Sequence, residues 1–201
     1  FSVLFISFFL LKDSELLERI VLIFIKESYH LRIQKSFERI KNLLSRYFIG
    51  LLMQITILLV IYTIVLAVFG INNSFIIAFL CALLNLIPYL GPIFGGVLMI
   101  ILTLTNNLEL NFSAEVLPNV LGVSIGFTIG QLVDNFFSQP YIFSRSVKSH
   151  PLEIFFVILA SGSLFGAVGM IIAIPMYTAS KVILKEFFAE NKIVQSLTKD
   201  L

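Results

Sequence analysis

Long apolar runs separate a few charged stretches in this chain. No Asp, Glu, Lys, Arg or His occurs from Tyr47 to Leu108, and two shorter uncharged runs follow at 116–133 and 154–180. A helix needs about 20 apolar residues to cross the hydrocarbon core of a bilayer. The runs also lack the every-second-residue alternation of a transmembrane barrel. The pattern therefore predicts membrane-spanning helices.

The order of the runs predicts a series of helical elements. Apolar residues recur at helical spacing in residues 12–46, which we expect to form cytoplasmic amphipathic helices. The preceding apolar run, 1–11, is too short to span, and we interpret it as a truncated span of a longer protein. The remaining predicted elements are, in order, a span at 48–70, a hairpin at 75–105, a span at 117–133, a hairpin at 152–180 and a cytoplasmic tail at 181–201.

The segment 75–105 is longer than one span needs and is broken in its middle. Proline removes an amide donor and clashes with the preceding helical turn, so Ile87 to Pro92 cannot be ordinary helix. Each remaining half would extend about 20 Å, too short to cross the bilayer. We therefore expect a re-entrant hairpin. Its unwound tip has free backbone groups that either line a pathway or pack as a structural kink. The pathway candidates here are Asn85, Pro88, Tyr89, Gly91 and Pro92.

The segment 152–180 repeats this pattern, since glycines interrupt its middle and Pro175 lies near its end. We interpret it as a second re-entrant hairpin whose tip lets backbone approach a solute closely. Its pathway candidates are Gly162, Phe165, Gly166 and Gly169. Two units of span plus hairpin, entering from opposite faces, would allow an inverted repeat, an architecture found in secondary transporters.

The basic residues test this topology, because Lys and Arg concentrate in cytoplasmic loops. With two crossings and two returning hairpins, all 14 Lys and Arg fall on one side, in residues 12–46, 134–151 and 181–201. The segments on the other side, 70–74 and 106–116, have none. The C-terminus is therefore predicted to be cytoplasmic.

A polar cluster follows the second span. An acid at a membrane boundary binds a proton or cation, or merely caps its helix. A histidine titrates near neutral pH, although a histidine before proline is often only a turn residue. We expect Asp134 to carry any coupling to protons or sodium, with His150 and Glu153 as outside candidates. The residues of this predicted coupling cluster are Gln131, Asp134, Asn135, Gln139 and His150.

Three glycines, Gly122, Gly126 and Gly130, recur every four residues in the second span and predict a helix-packing groove. The same stretch matches the G-x-S-x-G pattern of serine hydrolases, with Ser124 at the nucleophile position. That motif requires a strand-to-helix elbow, whereas this one lies in a predicted span. We therefore predict a protein that is not an enzyme and that has no cofactor and no metal site. Cys81, the single cysteine, is interpreted as a packing residue.

Composition agrees with a membrane protein, because 58% of the residues are hydrophobic, 13% are charged and the mean hydropathy is +1.00. Soluble domains have about 45–50% apolar residues. The fold class predicted from the sequence is an all-α integral membrane protein with transmembrane helices and two broken re-entrant hairpins.

Four motifs occur in order along about residues 48–180. They are Asn85-Leu-Ile-Pro-Tyr-Leu-Gly-Pro92, Gln131 with Asp134-Asn135 and Gln139-Pro140, His150-Pro151-Leu152, and Leu164-Phe-Gly-Ala-Val-Gly169 followed by Ala173-Ile-Pro175. Through these motifs the chain resembles the autoinducer-2 exporter family, also called PerM-like permeases. Phe136 and Phe137 stand where the family usually has an aliphatic residue, and the resemblance implies that the family's N-terminal spans are missing here.

This resemblance implies a permease of the bacterial inner membrane that exports a small polar molecule, such as autoinducer-2, and assembles as a homo-oligomer. Some family members are linked instead to exchange of sodium or lithium for protons, so a cation/proton antiporter is the first alternative. A membrane scaffold that transports nothing is the second. The expected partners are the lipid bilayer, a small polar solute, and protons or sodium, and we expect no nucleic acid.

Overall fold

The computed structural model describes most of the chain. The described residues are 16–106, 111–139, 150–188, 194–195 and 198. Within these ranges every regular element is a helix and no strand occurs, which confirms the predicted all-α fold. The predicted segment 1–11 lies outside the described residues, as do residues 140–149 and most of the predicted tail after 188.

The first long helix runs through the predicted membrane boundary. Helix α1 spans Leu16–Ile23, and a 3-10 turn at Glu27–Tyr29 leads into helix α2, His30–Val68. The sequence pattern instead places a boundary between amphipathic helices ending at 46 and a span beginning at 48. A change from charged to apolar side chains marks where a helix meets the membrane, but it does not interrupt backbone hydrogen bonds, and α2 contains no proline.

A Schellman motif ends α2. Gly70 has a φ of +67°, in the left-handed region that glycine enters without a Cβ clash. Its N–H donates to the Ala67 carbonyl at 3.1 Å, and the Ile71 N–H donates to the Leu66 carbonyl at 3.0 Å. These two bonds satisfy carbonyls that the helix end would otherwise leave free.

The segment 75–105 forms a helical hairpin. Helix α3 spans Ser74–Leu84 and helix α4 spans Leu90–Asn106. The predicted break at Ile87 to Pro92 was too long, because Pro92 lies in the first turn of α4, where proline's missing N–H costs no helical hydrogen bond. The Cys81 sulfur lies 3.4 Å from the Gly95 carbonyl oxygen, although 14 residues of straight helix would separate them by about 21 Å. The two helices therefore fold back on each other.

The second predicted span follows. A π-helical turn at Phe112–Val116 leads into helix α5, Leu117–Val133, and a second π-helical turn covers Asp134–Ser138. Asn111 caps the first turn, because its side-chain oxygen accepts the backbone N–H groups of the following residues at 3.2 and 3.4 Å.

Helix α6, Pro151–Phe187, also turns back on itself. Gly166 alone among its described residues leaves the helical region, with φ +63° and ψ −149°. The Tyr177 hydroxyl donates to Glu153 at 2.9 Å, while 24 residues of straight helix would separate these side chains by about 36 Å. Helix α6 is therefore a second hairpin whose tip is Gly166.

The other two glycines of this hairpin do not interrupt the helix, although their pattern in the sequence predicts that they do. Gly162 and Gly169 keep helical backbone, and neither has room for a Cβ atom, because Met170 and the Ser161 carbonyl occupy that space. They let the arms approach closely instead of interrupting the helix.

Among the described residues, three helical stretches are long and apolar enough to cross a membrane, namely Glu27–Val68, Phe112–Ser138 and Leu152–Phe187. Their outer faces expose large apolar side chains such as Val68, Phe136 and Leu164, each more than 70% exposed. Water would penalise this exposure, whereas lipid accommodates it. The protein is therefore a multi-pass membrane protein.

The chain divides into two compact units. Unit 1 consists of residues 1–44 and 178–201, and unit 2 consists of residues 45–177. In unit 1 the ring of Tyr29 lies 6.3 Å from that of Phe187, and the Lys185 ammonium donates to the Thr198 carbonyl at 3.3 Å.

Unit 2 has two apolar clusters. The first joins α2, the first hairpin and α5, and its buried members include Leu58, Tyr62, Leu66, Ala78, Cys81, Met99 and Val123. The second joins the start of the apolar part of α2 to the second hairpin, and it consists of Tyr47, Leu51, Ile154, Ile158, Ala173 and Ile174. Polar side chains between these elements form the candidate site.

Candidate functional site: a polar network in unit 2

Gln131 is the centre of a buried hydrogen-bonded group. Its Nε2 atom donates to the Tyr62 hydroxyl at 2.7 Å and to the Asn85 side-chain oxygen at 3.0 Å. Asn85, only 4% exposed at the end of α3, donates in turn to the Cys81 carbonyl at 2.9 Å. This group therefore ties α2, the first hairpin and α5 together through neutral side chains.

Asp134 is the centre of a second group, one helical turn further along. Its Oδ2 atom accepts the side-chain N–H of Gln54 at 2.9 Å and of Gln139 at 3.1 Å. Gln139 Nε2 also donates to Asn135 at 2.9 Å. The side chain of Asp134 is fully buried, so a carboxyl group lies inside an apolar unit with amides as its donors.

Two atoms beside this carboxyl have no hydrogen-bond partner among the described residues. They are Oδ1 of Asp134 and Oγ of Ser138, both buried. Both residues belong to the π-helical turn Asp134–Ser138 and lie four positions apart. Buried polar groups are normally paired, so a small rotation of the Ser138 hydroxyl toward the carboxyl group, or one water between them, would satisfy both oxygens.

A narrow cavity adjoins both groups. Its empty core is about 10 Å³, enough for roughly one water molecule. Three amide side chains contribute to its walls, beside aromatic, aliphatic and proline residues. The lining consists of Tyr47, Leu51, Gln54, Asn85, Pro88, Pro92 and Gln139. The broken tip of the first hairpin thus lies against the polar network.

The glycine face of α5 positions α2 beside this network. The face consists of Gly122, Gly126 and Gly130. A Cβ atom on any of them would crowd a side chain of α2 or of the residue that follows it, and the three neighbours are Phe69, Val65 and Tyr62. Because glycines allow this approach, the Tyr62 hydroxyl reaches the side chain of Gln131.

The first hairpin tip places Tyr89 beside the second hairpin. Tyr89 has a φ of +66°, which is rare for a residue with a side chain and costs about 1–3 kcal/mol. Its ring meets that of Phe155 edge to face at 5.7 Å. Gly91 packs against the Leu84 carbonyl with no room for a Cβ atom. Of the pathway candidates at this tip, Asn85, Pro88 and Pro92 line the cavity.

The tip of the second hairpin lies apart from the network. Phe165 and Leu164 are 69% and 75% exposed, and a Cβ atom on Gly166 would have no neighbour within 4 Å. The first tip instead contacts residues near the base of the second hairpin, such as Phe155. The structure does not bring Gly162, Phe165, Gly166 and Gly169 to the cavity.

His150 and Glu153 also lie outside the network. The Nδ1 atom of exposed His150 accepts the backbone N–H of Leu152 at 3.3 Å, as expected of a residue that begins a helix. Glu153 accepts the Tyr177 hydroxyl. Of the five predicted cluster residues, Asp134, Asn135 and Gln139 are joined by hydrogen bonds. Gln131 belongs to the neighbouring group, and His150 belongs to neither.

Sequence reasoning missed three residues of this site, namely Gln54, Tyr62 and Ser138. A signal for the first two exists. They lie eight residues apart in an otherwise apolar helix, which places them on the same face. A lone amide in such a helix often forms hydrogen bonds between helices. For Ser138 the sequence has no comparable signal, because its importance depends on the burial of Asp134.

Comparisons with known proteins identify relatives of this chain. The family model described as AI-2E family transporter matches residues 1–189. Among Bacillus subtilis (strain 168) relatives, "Putative transport protein YrrI" is 32% identical over 183 residues, which cover 91% of this chain and 49% of that protein. "Putative transport protein YueF" is 30% identical over 183 residues, covering 90% and 46%.

The chain spans about half the length of these curated relatives. No solved structure matches it. A family model that matches nearly the whole chain, together with two relatives at 30% identity or above, shows that the chain belongs to the AI-2E family of transporters.

Proposed function

We propose that this chain forms the solute-conducting part of a membrane permease that moves a small polar molecule. The observation that carries the proposal is the hydrogen-bonded network of amide, phenol and carboxyl side chains beside the broken tip of the first hairpin. Leaving one such buried group unpaired costs about 1–3 kcal/mol, so a fold that only needed to span the membrane would have little use for so many.

The finer parts of the proposal concern solute and setting. We propose autoinducer-2 or a similar signalling molecule as the exported solute, in the bacterial inner membrane, with a cytoplasmic C-terminus and a homo-oligomeric assembly. The two hairpins are proposed to be re-entrant. In support, the family model is that of the AI-2E transporters, and the arms of each hairpin fold back against each other.

The proposed path runs along the cavity lined by Gln54, Asn85 and Gln139. At about 10 Å³ the cavity does not admit a solute larger than water, so this conformation is closed. Opening requires the first hairpin tip to move away from α2. The strained backbone of Tyr89, together with its edge-to-face contact with Phe155, is suited to such a moving part.

The test is solute efflux from vesicles that contain the purified protein. Vesicles are loaded with autoinducer-2, ribose or glycerol, and efflux is compared with that from protein-free vesicles. We expect efflux of at least one solute. Asn85→Ala should slow that efflux about tenfold, because it removes the oxygen that accepts a hydrogen bond from Gln131. Asn106→Ala, at the end of α4, is the matched control and should keep the unaltered rate.

Three outcomes would contradict the proposal or a part of it. No efflux of any solute would overturn the permease and favour a membrane scaffold. Equal slowing of efflux by Asn85→Ala and Asn106→Ala would contradict the claim that the solute passes along the polar network. A pH-sensitive dye in the same vesicles tests exchange of sodium for protons, and a sodium-driven pH change without solute efflux would favour the antiporter.

A further inference from the structure

The π-helical turn after α5 holds one residue more than an α-helical turn would. Residues Asp134–Ser138 form this turn, and the Gln139 N–H donates to the Asp134 carbonyl, five positions back. In an α-helix the same N–H would donate to the carbonyl of Asn135, four positions back. Turns of the π type are rare and occur mostly as single turns inserted in an α-helix. The turn therefore has a nearby alternative, in which the backbone bonds are α-helical and the extra residue is passed along the helix.

The side chain of Gln139 has a partner suited to each arrangement. Its Nε2 atom donates to Asn135 at 2.9 Å and to Asp134 at 3.1 Å. Side chains four positions apart are neighbours on an α-helix, whereas side chains five positions apart point in different directions. The bond to Asn135 therefore fits the α-helical arrangement, and the bond to Asp134 needs the π-helical turn. If the second bond opens, Asp134 keeps Gln54 as a donor at 2.9 Å.

The two sides of the turn are held differently. On the side before it, the glycine face of α5 packs so closely that a Cβ atom on Gly126 or Gly130 would overlap Val65 or Tyr62. On the side after it, the sequence continues from Gln139 to a proline. Proline has no backbone N–H, so no backbone hydrogen bond from that position has to be exchanged. We therefore expect the side that begins at Gln139 to move.

Movement of Gln139 would change the cavity directly. Gln139 lines the cavity together with Gln54 and Asn85. Passing one residue along an α-helix turns everything after it by about 100° and shifts it by about 1.5 Å. Such a turn takes the side chain of Gln139 off the wall of a cavity whose empty core is only about 10 Å³.

We infer that the π-helical turn Asp134–Ser138 is a conformational switch, whose conversion to α-helical hydrogen bonding withdraws Gln139 and opens the cavity. This inference rests on the proposed permease function, and it adds a second moving part to the first hairpin tip. Neither arrangement leaves the Gln139 side chain or the carboxyl group of Asp134 without a partner, so the two can interconvert at modest cost.

Deletion of Phe137 tests the switch. Phe137 is exposed, so its removal takes no buried side chain from the protein. The deletion places Gln139 four positions after Asp134, which makes the turn α-helical with Gln139 still at the wall and with no extra residue to pass. We expect efflux of autoinducer-2, ribose or glycerol from vesicles to slow at least about tenfold. Phe137→Ala is the matched control, which keeps the extra residue and should keep the unaltered rate.

A second measurement reports opening of the cavity without any transported solute. Leu51 lines the cavity and is buried, so a small water-soluble thiol reagent should reach Leu51→Cys only when the cavity opens. The fully buried Cys81 provides the background. Labelling should be at least about tenfold slower without Phe137. It should be about threefold slower in Asn135→Ala, because Gln139 then keeps only the partner that needs the π-helical turn.

The outcomes separate the switch from the function on which it rests. Equal rates of labelling and efflux with and without Phe137 would overturn the switch and leave the permease standing. Equal slowing by Phe137→Ala would also overturn it, because the side chain and not the extra residue would then be responsible. If the shortened protein shows no cooperative unfolding in detergent, unchanged labelling of Leu51→Cys in the Asn135→Ala background would overturn the switch. Slower labelling in the variants, with no efflux of any solute from the unaltered protein, would overturn the permease alone.

Discussion

Gly166 has a backbone conformation that other residues almost never adopt. Its φ of +63° and ψ of −149° lie in a region open essentially to glycine, and a Cβ atom there would meet nothing within 4 Å. Glycine is therefore required at position 166 by the backbone conformation and not by crowding from neighbouring atoms. Gly91 is the opposite case, because the Leu84 carbonyl occupies the position of its Cβ atom.

We expect Gly166→Ala to lower the free energy of unfolding by about 1–3 kcal/mol, because alanine is strained in this conformation. Unfolding of the purified protein in detergent by increasing denaturant would measure it. Leu164→Ala is the matched control on the same exposed tip and should change stability by less than about 0.5 kcal/mol. Equal stability of Gly166→Ala and the unaltered protein would contradict the turn at this residue.

Among the helices, the packing of α2 on α5 decides whether the network can form. The glycine face of α5 admits α2 so closely that a Cβ atom on Gly130 would lie 2.6 Å from the Tyr62 ring. The Tyr62 ring also stacks on Phe127 with centroids 5.2 Å apart. A wider separation of these helices would break the bond between Tyr62 and Gln131.

Gly126→Ala should destabilise the protein by about 1–3 kcal/mol, because the new methyl group would overlap the Val65 side chain. Adding Val65→Ala should recover part of that loss, since the second change makes room for the first. Denaturant unfolding of the two single variants and the double variant measures the coupling. Strictly additive losses would argue against direct contact at this position.

The boundaries of the helices show which features of the fold the sequence pattern can predict. Breaks at Pro88 and Gly166 were predictable, because proline and glycine act on the backbone locally. Pro92 does not break the helix, because it lies in the first turn of α4, where a missing N–H has no partner to lose. The continuity of α2 across position 46 was not, because a change in side-chain polarity leaves the backbone hydrogen bonds of a helix intact. Whether the two hairpins are re-entrant stays a prediction.

At the scale of the whole molecule, the distribution of basic residues predicts its orientation. The segment containing Ser28 belongs to the basic side, and the segment containing Ser113 belongs to the side without Lys or Arg. Both serines are exposed in the structure. They are therefore suitable positions for a labelling experiment.

In intact cells, a membrane-impermeant thiol reagent should label Ser113→Cys and should label Ser28→Cys only after the cells are opened. Cys81 is fully buried, so the otherwise unaltered protein provides the background signal. Labelling of both positions from the same side would contradict the predicted topology of two crossings and two returning hairpins.

The sequence by itself determined that this protein is helical and membrane-embedded, and it identified Asn85, Gln131 and Asp134 as polar residues in apolar surroundings. These conclusions depend only on local sequence, because an uncharged run predicts a membrane span and a proline predicts a break in a helix. Only the tertiary structure decided which polar groups meet. Gln54 bonds to Asp134, 80 positions away, and Tyr62 bonds to Gln131, 69 positions away. Hydrogen bonds between helices depend on how the helices pack, and the local pattern of residues does not determine that packing.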